Sequence, residues 1–450
     1  MKRMIPIACL VMAGCVSVPR DAGTSDVQNA VVARGGPRID ATAPPGDELT
    51  ADQAVAIAVQ NNPRLQVALA ELGIARADLI EASTIANPIL EAEIRYPAEP
   101  YRPFELSLAQ SLIDLIQLPR RRAAGRAAFD AAQMRVSSEV LRFAAEVRGA
   151  YYDLVAATQH VALSRIAAEA AQATAEVAIK QHAAQNITDL DLENEQARYE
   201  EAKLDLARAE RDAVLAREAL LRAMGLRDTT AQWSVPESFP QLPPSELEQQ
   251  ELETLAATQR LDLAIARREV EIAQRRVPLA RLAMLEETVV DVHYEREPDG
   301  AHTIGPGIEI PIPIFNTGRA ARTRAEAEFL RARHTLAALE AETASQLRAA
   351  RATLDEARRR VEYYRDVVVP RRARIVELTK LEHNAMLAGV YQLLQAKQNE
   401  MQARRDFIDA QREYWSARTN LDMALQGVSQ ETRDSAPSAA RGMTERGGDH

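Results

Sequence analysis

The sequence predicts a mostly α-helical chain with a small membrane-type β portion, built twice over from a helix–strand–strand–helix–helix unit. Three observations carry this prediction. First, Ala202, Ala209, Ala216 and Ala223 stand seven residues apart, and Ala403, Ala410, Ala417 and Ala424 repeat the stripe 201 positions later. A seven-residue period keeps one face of a slightly underwound helix against a partner along its whole length. Second, the repeat extends beyond the stripes: Ala58–Leu65 aligns with Ala256–Leu263, and Ala144, Val147, Leu154 and Val161 align with Ala344, Leu347, Leu354 and Val361. Third, four short stretches alternate apolar and polar residues, unlike the helical spacing around them.

Composition agrees. Aromatic residues make up only 4% of the 450 residues, the profile of a long helical protein and not of a sandwich. A net charge of −10 argues against nucleic acid as the main partner. The runs Arg120–Arg122 and Arg358–Arg360 read as solvated helix faces.

Taken in order, Lys2 and Arg3 precede a short apolar run, and Met12-Ala13-Gly14-Cys15 closes it. Residues 1–14 therefore read as a lipoprotein-type signal peptide, with Cys15 as the lipidated (palmitate-bearing) first residue of the mature chain. Cys9 leaves with the signal, so no disulfide is expected. Residues 15–48, rich in Gly, Pro, Asp and Thr, read as a flexible tether, and 428–450 as a disordered tail. Repeat 1 spans 49–227, a linker covers 228–245, and repeat 2 spans 246–427.

Helices are expected over roughly 50–84, 120–184 and 188–225, then 246–284, 319–386 and 390–426. A helix of about 65 residues is about 100 Å long, and the two shorter helices of the first copy add to nearly the same length. One long helix should therefore lie beside two short ones stacked end to end. Pro370 should bend or interrupt the second long helix.

The expected strands are Ile89–Tyr96, Phe104–Ile113, one around Val290–Glu295, and one over Gly307–Ile314. On one face stand Glu91, Glu93 and Arg95 in the first copy and Asp291, His293 and Glu295 in the second, the expected lumen-facing set. On the other stand Leu90, Ile94, Leu106, Leu108, Val292, Ile308, Ile310 and Ile312. This is the alternation of a transmembrane barrel, with Tyr96, Tyr101, Phe104 and Tyr294 placed for an interfacial girdle. Four strands cannot close a barrel, and lipid forbids an open edge. Three chains would supply twelve.

Asn61-Asn62-Pro63-Arg64-Leu65, the run Gly305–Asn316, Asn384–Leu394 and Tyr414-Trp415-Ser416-Ala417-Arg418 occur in order on this duplicated frame. In these segments, over roughly residues 48–427, the chain resembles the outer-membrane factor (TolC-like) family of tripartite efflux systems. The resemblance implies a homotrimer, with a twelve-stranded outer-membrane β-barrel continuing into a twelve-helix periplasmic coiled-coil tunnel. It implies a passive exit channel for small molecules or ions, docked to a periplasmic adaptor and an inner-membrane pump of the resistance-nodulation-division type. Lipidated members of the family agree with Cys15, and Val16 after it favours the outer membrane.

The two helix–helix turns are the expected adaptor-docking tips: Asn186, Ile187, Thr188, Asp189 and Leu190 in the first, Ala388, Gly389, Val390 and Tyr391 in the second. Asn186 suits a left-handed cap, Gly389 supplies permissive backbone, and Thr188 with Asp191 resembles a capping box. Where family members carry acidic residues that narrow the periplasmic mouth, this chain has Gln392 and Gln395, with Asp189 and Asp191 as nearby acids. The histidines are dispersed, no metal-ligand spacing occurs, and no phosphate loop or nucleophile elbow is present. No enzyme activity, cofactor or metal site is expected. The competing reading is a periplasmic coiled-coil adaptor or scaffold lipoprotein, which would have one helical hairpin flanked by small β domains.

Overall fold

The computed structural model describes residues 23–39, 48–94, 96, 102, 104–226, 233–297 and 299–428. The signal segment 1–14, Cys15, Arg95, Tyr101 and the tail 429–450 lie outside the described residues.

In chain order the helices are α1 (Thr24–Val32), α2 (Ala51–Asn61), α3 (Pro63–Ser83), α4 (Leu112–Ala183), α5 (Asp189–Met224), α6 (Gln249–Gln259), α7 (Leu261–Arg281), α8 (Arg319–Tyr363), α9 (Val369–Asn384) and α10 (Val390–Gln426). The strands are β1 (Ile89–Ile94), β2 (Phe104–Ser111), β3 (Val289–Arg296) and β4 (His302–Glu309). The duplicated order holds. At 72 residues α4 is about 108 Å long, and it packs against α3 and α5, the two shorter helices.

The sheet is an antiparallel meander in the order β1-β2-β3-β4. The helices entering and leaving it keep the same order, since α3 packs on α4, α4 on α7 and α7 on α8. Each strand thus continues as one stave of a helical wall. Register fixes the faces: Glu91, Ser107, His293 and Gly305 share one row, and Glu93, Glu105, Glu295 and Thr303 the next. Leu90, Leu108, Val292 and Pro306 form a row on the opposite face. There Leu90 is 65% and Ile304 73% exposed, so the apolar side of the sheet is uncovered in one protomer.

Several boundaries differ from expectation, each for a local reason. The long first helix begins at Leu112 and not near 120, because the Ser111 hydroxyl accepts from the Asp114 amide and caps it. Pro119 then sits inside the helix and costs one bond, to the carbonyl of exposed Leu115. The last strand ends at Glu309, short of Ile310, Ile312 and Ile314, because Pro311 and Pro313 have no amide to give the ladder. The expected single helices 50–84 and 246–284 are each broken, at Asn62 and at Arg260. Pro370 does interrupt the second long helix: a π-helical turn, Tyr364–Val368, precedes it and the helix then resumes to Asn384.

The two breaks are equivalent joints. At the first, Asn62 Nδ2 donates to the carbonyls of Arg222 and Ala223 at 3.3 and 2.8 Å, tying the joint to the end of α5. At the second, Arg260 Nη1 donates to the Ala424 carbonyl at 3.2 Å, at the end of α10. Gly225 closes α5 at φ 71°, where a Cβ would lie 2.7 Å from the Asn61 carbonyl oxygen. Only glycine fits that approach.

The described part of the tether needs correction. Residues 23–39 are packed and not loose: Val27 and Val31 of α1 are fully buried, and α1 lies on α4. Arg34 donates to the Gln259 carbonyl (2.7 Å) and accepts from Gln426 Nε2 (2.9 Å), strapping the N-terminal segment to the second repeat. In the linker, Trp233 and Phe239 are buried, and Ser234 bridges Glu48 in parallel. Val428 is buried as well.

The two repeats meet at stacked rings. Trp415 lies 5.1 Å from Tyr152 with planes 22° apart, while Tyr414 meets Trp415 edge-on at 5.3 Å. Beside them the buried carboxylate of Glu246 accepts from Tyr414 Oη (2.6 Å), Arg418 Nη1 (2.6 Å) and Arg358 Nη1 (3.3 Å). Arg358 also donates to the carbonyls of Pro243 and Pro244. Burial, then the hydrogen bond to Glu246, holds the Tyr414 hydroxyl above its ordinary range.

Candidate functional site

The site with most exposed chemistry is the far end of the two hairpins, where α4 turns into α5 and α9 into α10. The turns are built alike. At the first, the amides of Ala184, Gln185 and Asn186 donate to the carbonyls of Lys180, His182 and Gln181. At the second, those of Ala385, Met386 and Leu387 donate to Leu381, His383 and Glu382, the same pattern 201 residues on. The left-handed residue is Gln185 in one and Met386 in the other, each at φ 60°. Neither Asn186 nor Gly389 takes that role; Gly389 is extended, at φ −75°. Both turns place the left-handed residue second after the helix, where the chain must reverse before the next cap.

The caps follow. Thr188 and Asp191 form the full reciprocal box: the Asp191 amide donates to Thr188 Oγ1 (3.2 Å) and the Thr188 amide to Asp191 Oδ2 (3.2 Å). Gly389 has no side chain to give, so only the return half exists, with its amide donating to Gln392 Oε1 at 3.2 Å. The Gln392 amide is therefore engaged in its own cap, and Gln395 Nε2 donates to Asn399 Oδ1 at 3.3 Å. Asp189 is paired with His182 Nε2 at 2.6 Å. None of the four expected aperture side chains stands without a partner.

One contact joins the tips. The Tyr391 hydroxyl donates to Asp191 Oδ1, and the Arg198 guanidinium lies 5.8 Å over the Tyr391 ring. Tyr391 and then Thr188 hold the Asp191 carboxyl below the usual carboxylate range, and Asp191 in turn pushes the Tyr391 hydroxyl above its ordinary value. Sequence reasoning placed both residues at the tips but missed the pairing, which arises because α10 packs on α4 and brings the Tyr391 side chain within reach of Asp191 on α5.

Exposure sorts the expected docking residues. Leu190 (69%), Val390 and Tyr391 are exposed, as are Met386 (94%) and Leu387 (81%), which sequence reasoning passed over. Asn186, Thr188, Asp189 and Gly389 are exposed and Ile187 is half-buried. Ala388 is buried, and its carbonyl accepts from His383 Nδ1 at 3.0 Å. It shapes the turn and offers no surface. Their apolar character is the signal that was legible but unused.

The second chemical surface is the polar face of the sheet, which holds Glu91, Glu93, Asp291, His293 and Glu295 together as expected, joined by Glu105 and Glu309. Asp291 and His293 are 3.5 Å apart. Among the described residues, no three His, Cys, Asp or Glu side chains converge to hold a metal ion. No described helix is long and apolar enough to cross a membrane.

Comparison with known proteins places this geometry. The outer membrane efflux protein family profile matches residues 254–427. The cobalt-zinc-cadmium resistance protein CzcC of Cupriavidus metallidurans is 23% identical over 392 residues, 84% of this chain and 90% of that protein. The solved outer membrane protein VceC of Vibrio cholerae superposes with a TM-score of 0.70 at 17% identity, covering 84% of this chain and 97% of that one. The open-state MtrE outer membrane channel of Neisseria gonorrhoeae superposes with a TM-score of 0.64 at 17% identity, covering 87% and 96%. Duplicated hairpins, a four-stranded meander and these likenesses lead to one assignment: residues 254–427 match the outer membrane efflux proteins, and the chain has the fold of the TolC-like outer-membrane channels.

Proposed function

We propose that three copies of this chain form a passive outer-membrane exit channel, docked through its helix tips to a periplasmic adaptor and an inner-membrane pump. The observation that carries the reading is the sheet: four strands with one apolar face, two open edges, and staves that continue each strand into a helix. In lipid both edges must be paired. The edge β1 of one copy joined to β4 of the next closes a twelve-stranded barrel over a twelve-helix tunnel. Glu91, Glu93, Glu105, Asp291, His293 and Glu295 then face the lumen, and the apolar rows face lipid. The likeness to MtrE, an outer membrane channel by name, supports this use of the fold.

Cys15 would carry the acyl chains that anchor the N-terminal segment, upstream of the strap at α1. The exposed apolar residues at the tips, Leu190, Met386, Leu387, Val390 and Tyr391, supply the surface for the adaptor. The pump, of the resistance-nodulation-division type, selects the small molecules or ions that leave. The test is mass and conductance together. A detergent-dependent trimer conducting in planar bilayers is the expected result; a monomer soluble without detergent and silent would instead support a periplasmic scaffold.

A further inference from the structure

We infer that the cleft between α4 and α7 holds the phosphodiester headgroup of an anionic phospholipid in the periplasmic leaflet; this rests on the outer-membrane reading above. The cleft, about 510 Å³, opens where the helical wall leaves the sheet and is lined by Leu118, Pro119, Arg122 and Arg126 of α4 and by Arg268 and Arg275 of α7, with Asp130 and Glu271. Its four guanidinium groups outnumber its two carboxylates. Glu271 is shared by Arg268 (2.7 Å) and Arg275 (2.6 Å), and Asp130 meets Arg268 at 3.4 Å. That leaves Arg122 and Arg126 with no ion pair among the described residues. The Arg122 Nε is sealed from solvent yet has no hydrogen-bond partner, and a buried donor in that state favours an acceptor from outside the chain.

Position decides which acceptor. The cations are concentrated at this level although the chain as a whole carries −10. The segment 112–126 holds four arginines and one aspartate, and 267–281 five arginines and two glutamates. Toward the sheet, Leu115 and Ile116 are about half exposed, and beyond them Leu108 and Val292 continue the uncovered apolar row. An apolar band followed by guanidinium groups is the order in which acyl chains meet headgroups. The cleft lies between the two central staves, so copies joined at β1 and β4 would leave it uncovered.

The test uses the full-length protein purified in a non-ionic detergent and titrated by native mass spectrometry with phosphatidylglycerol, phosphatidylcholine or inorganic phosphate. Phosphatidylglycerol should bind at least about tenfold more tightly than phosphatidylcholine. Because a basic residue near a lipid surface is worth about fivefold, R122Q/R126Q should weaken phosphatidylglycerol binding about 25-fold, while R122K/R126K retains most of it. Equal binding of the two lipids, or full affinity in the glutamine variant, would overturn the inference. So would displacement of the lipid by millimolar inorganic phosphate, the mark of a free-anion site. If the glutamine variant fails to fold, the lysine variant and the wild-type lipid preference still decide. A protein that needs no detergent overturns the membrane reading itself, whereas lipid indifference in a detergent-dependent protein overturns only the cleft assignment.

Discussion

Gln185 and Met386 hold the same left-handed backbone, φ 60°, at equivalent points of two hairpin turns 201 residues apart. A non-glycine residue there carries strain of about 1 kcal/mol or more. Both turns keep a long side chain where glycine would relax the backbone, and Met386 leaves its own almost fully in solvent.

That cost predicts a separation of stability from function. Met386→Gly should leave the melting temperature unchanged or raise it slightly, because it removes strain and no buried contact. The same change should weaken binding of the adaptor about tenfold or more if Met386 is a docking anchor. Titration calorimetry against the purified adaptor, beside a melt in detergent, checks both. Unchanged affinity would assign Met386 to the turn alone.

The bond between Tyr391 and Asp191 should restrain the tips in the resting protein. Tyr391→Phe removes the donor and keeps the ring under Arg198, so single-channel conductance should rise with little change in melting temperature. An unchanged conductance would show that the pairing does not restrain the mouth.

The same bond fixes the pH response. Asp191 is depressed, so its share of the tip interaction is present above the ordinary aspartate pKa and lost only as pH falls through its lower folded value. The Tyr391 hydroxyl is raised, so its proton stays until pH climbs above the ordinary tyrosine range. Conductance should therefore be flat from about pH 5 to about pH 9. A transition inside that window would place the gate on other groups.

Glu246 ties the linker to α8 and α10 with a buried carboxylate, 4% exposed, against two arginines. Glu246→Ala leaves Arg358 and Arg418 facing each other and the Tyr414 hydroxyl without its acceptor. The expected loss is about 3 kcal/mol, read by denaturant unfolding in detergent. Glu246→Gln should recover part of it. A loss below about 1 kcal/mol would mean that Glu362 and the backbone carbonyls of Pro243 and Pro244 suffice for Arg358.

Glu93, Glu105 and Glu295 fall in one row on the polar face of the sheet. Closed into a barrel, that row becomes a ring of nine carboxylates that favours cations in the lumen. E93Q/E105Q/E295Q should move the reversal potential in a salt gradient toward zero. Cation selectivity that survives the triple change would locate the filter elsewhere.

The duplication, the helix and strand periods and the two faces of the sheet were legible in the residues alone. These are properties of spacing: seven-residue alanine stripes and two-residue alternation are written along the chain and survive any arrangement of its pieces. Features that depend on elements distant in sequence emerged with packing. Asn62 and Arg260 become joints because the ends of α5 and α10 arrive beside them, and α1 becomes a strap because α4 offers it a bed. The left-handed position falls on Gln185 and Met386, second after the helix in each turn, and not on Asn186 or Gly389. Tyr391 meets Asp191 by packing: a pairing across 200 residues exists only once the two hairpins lie against each other, α10 on α4.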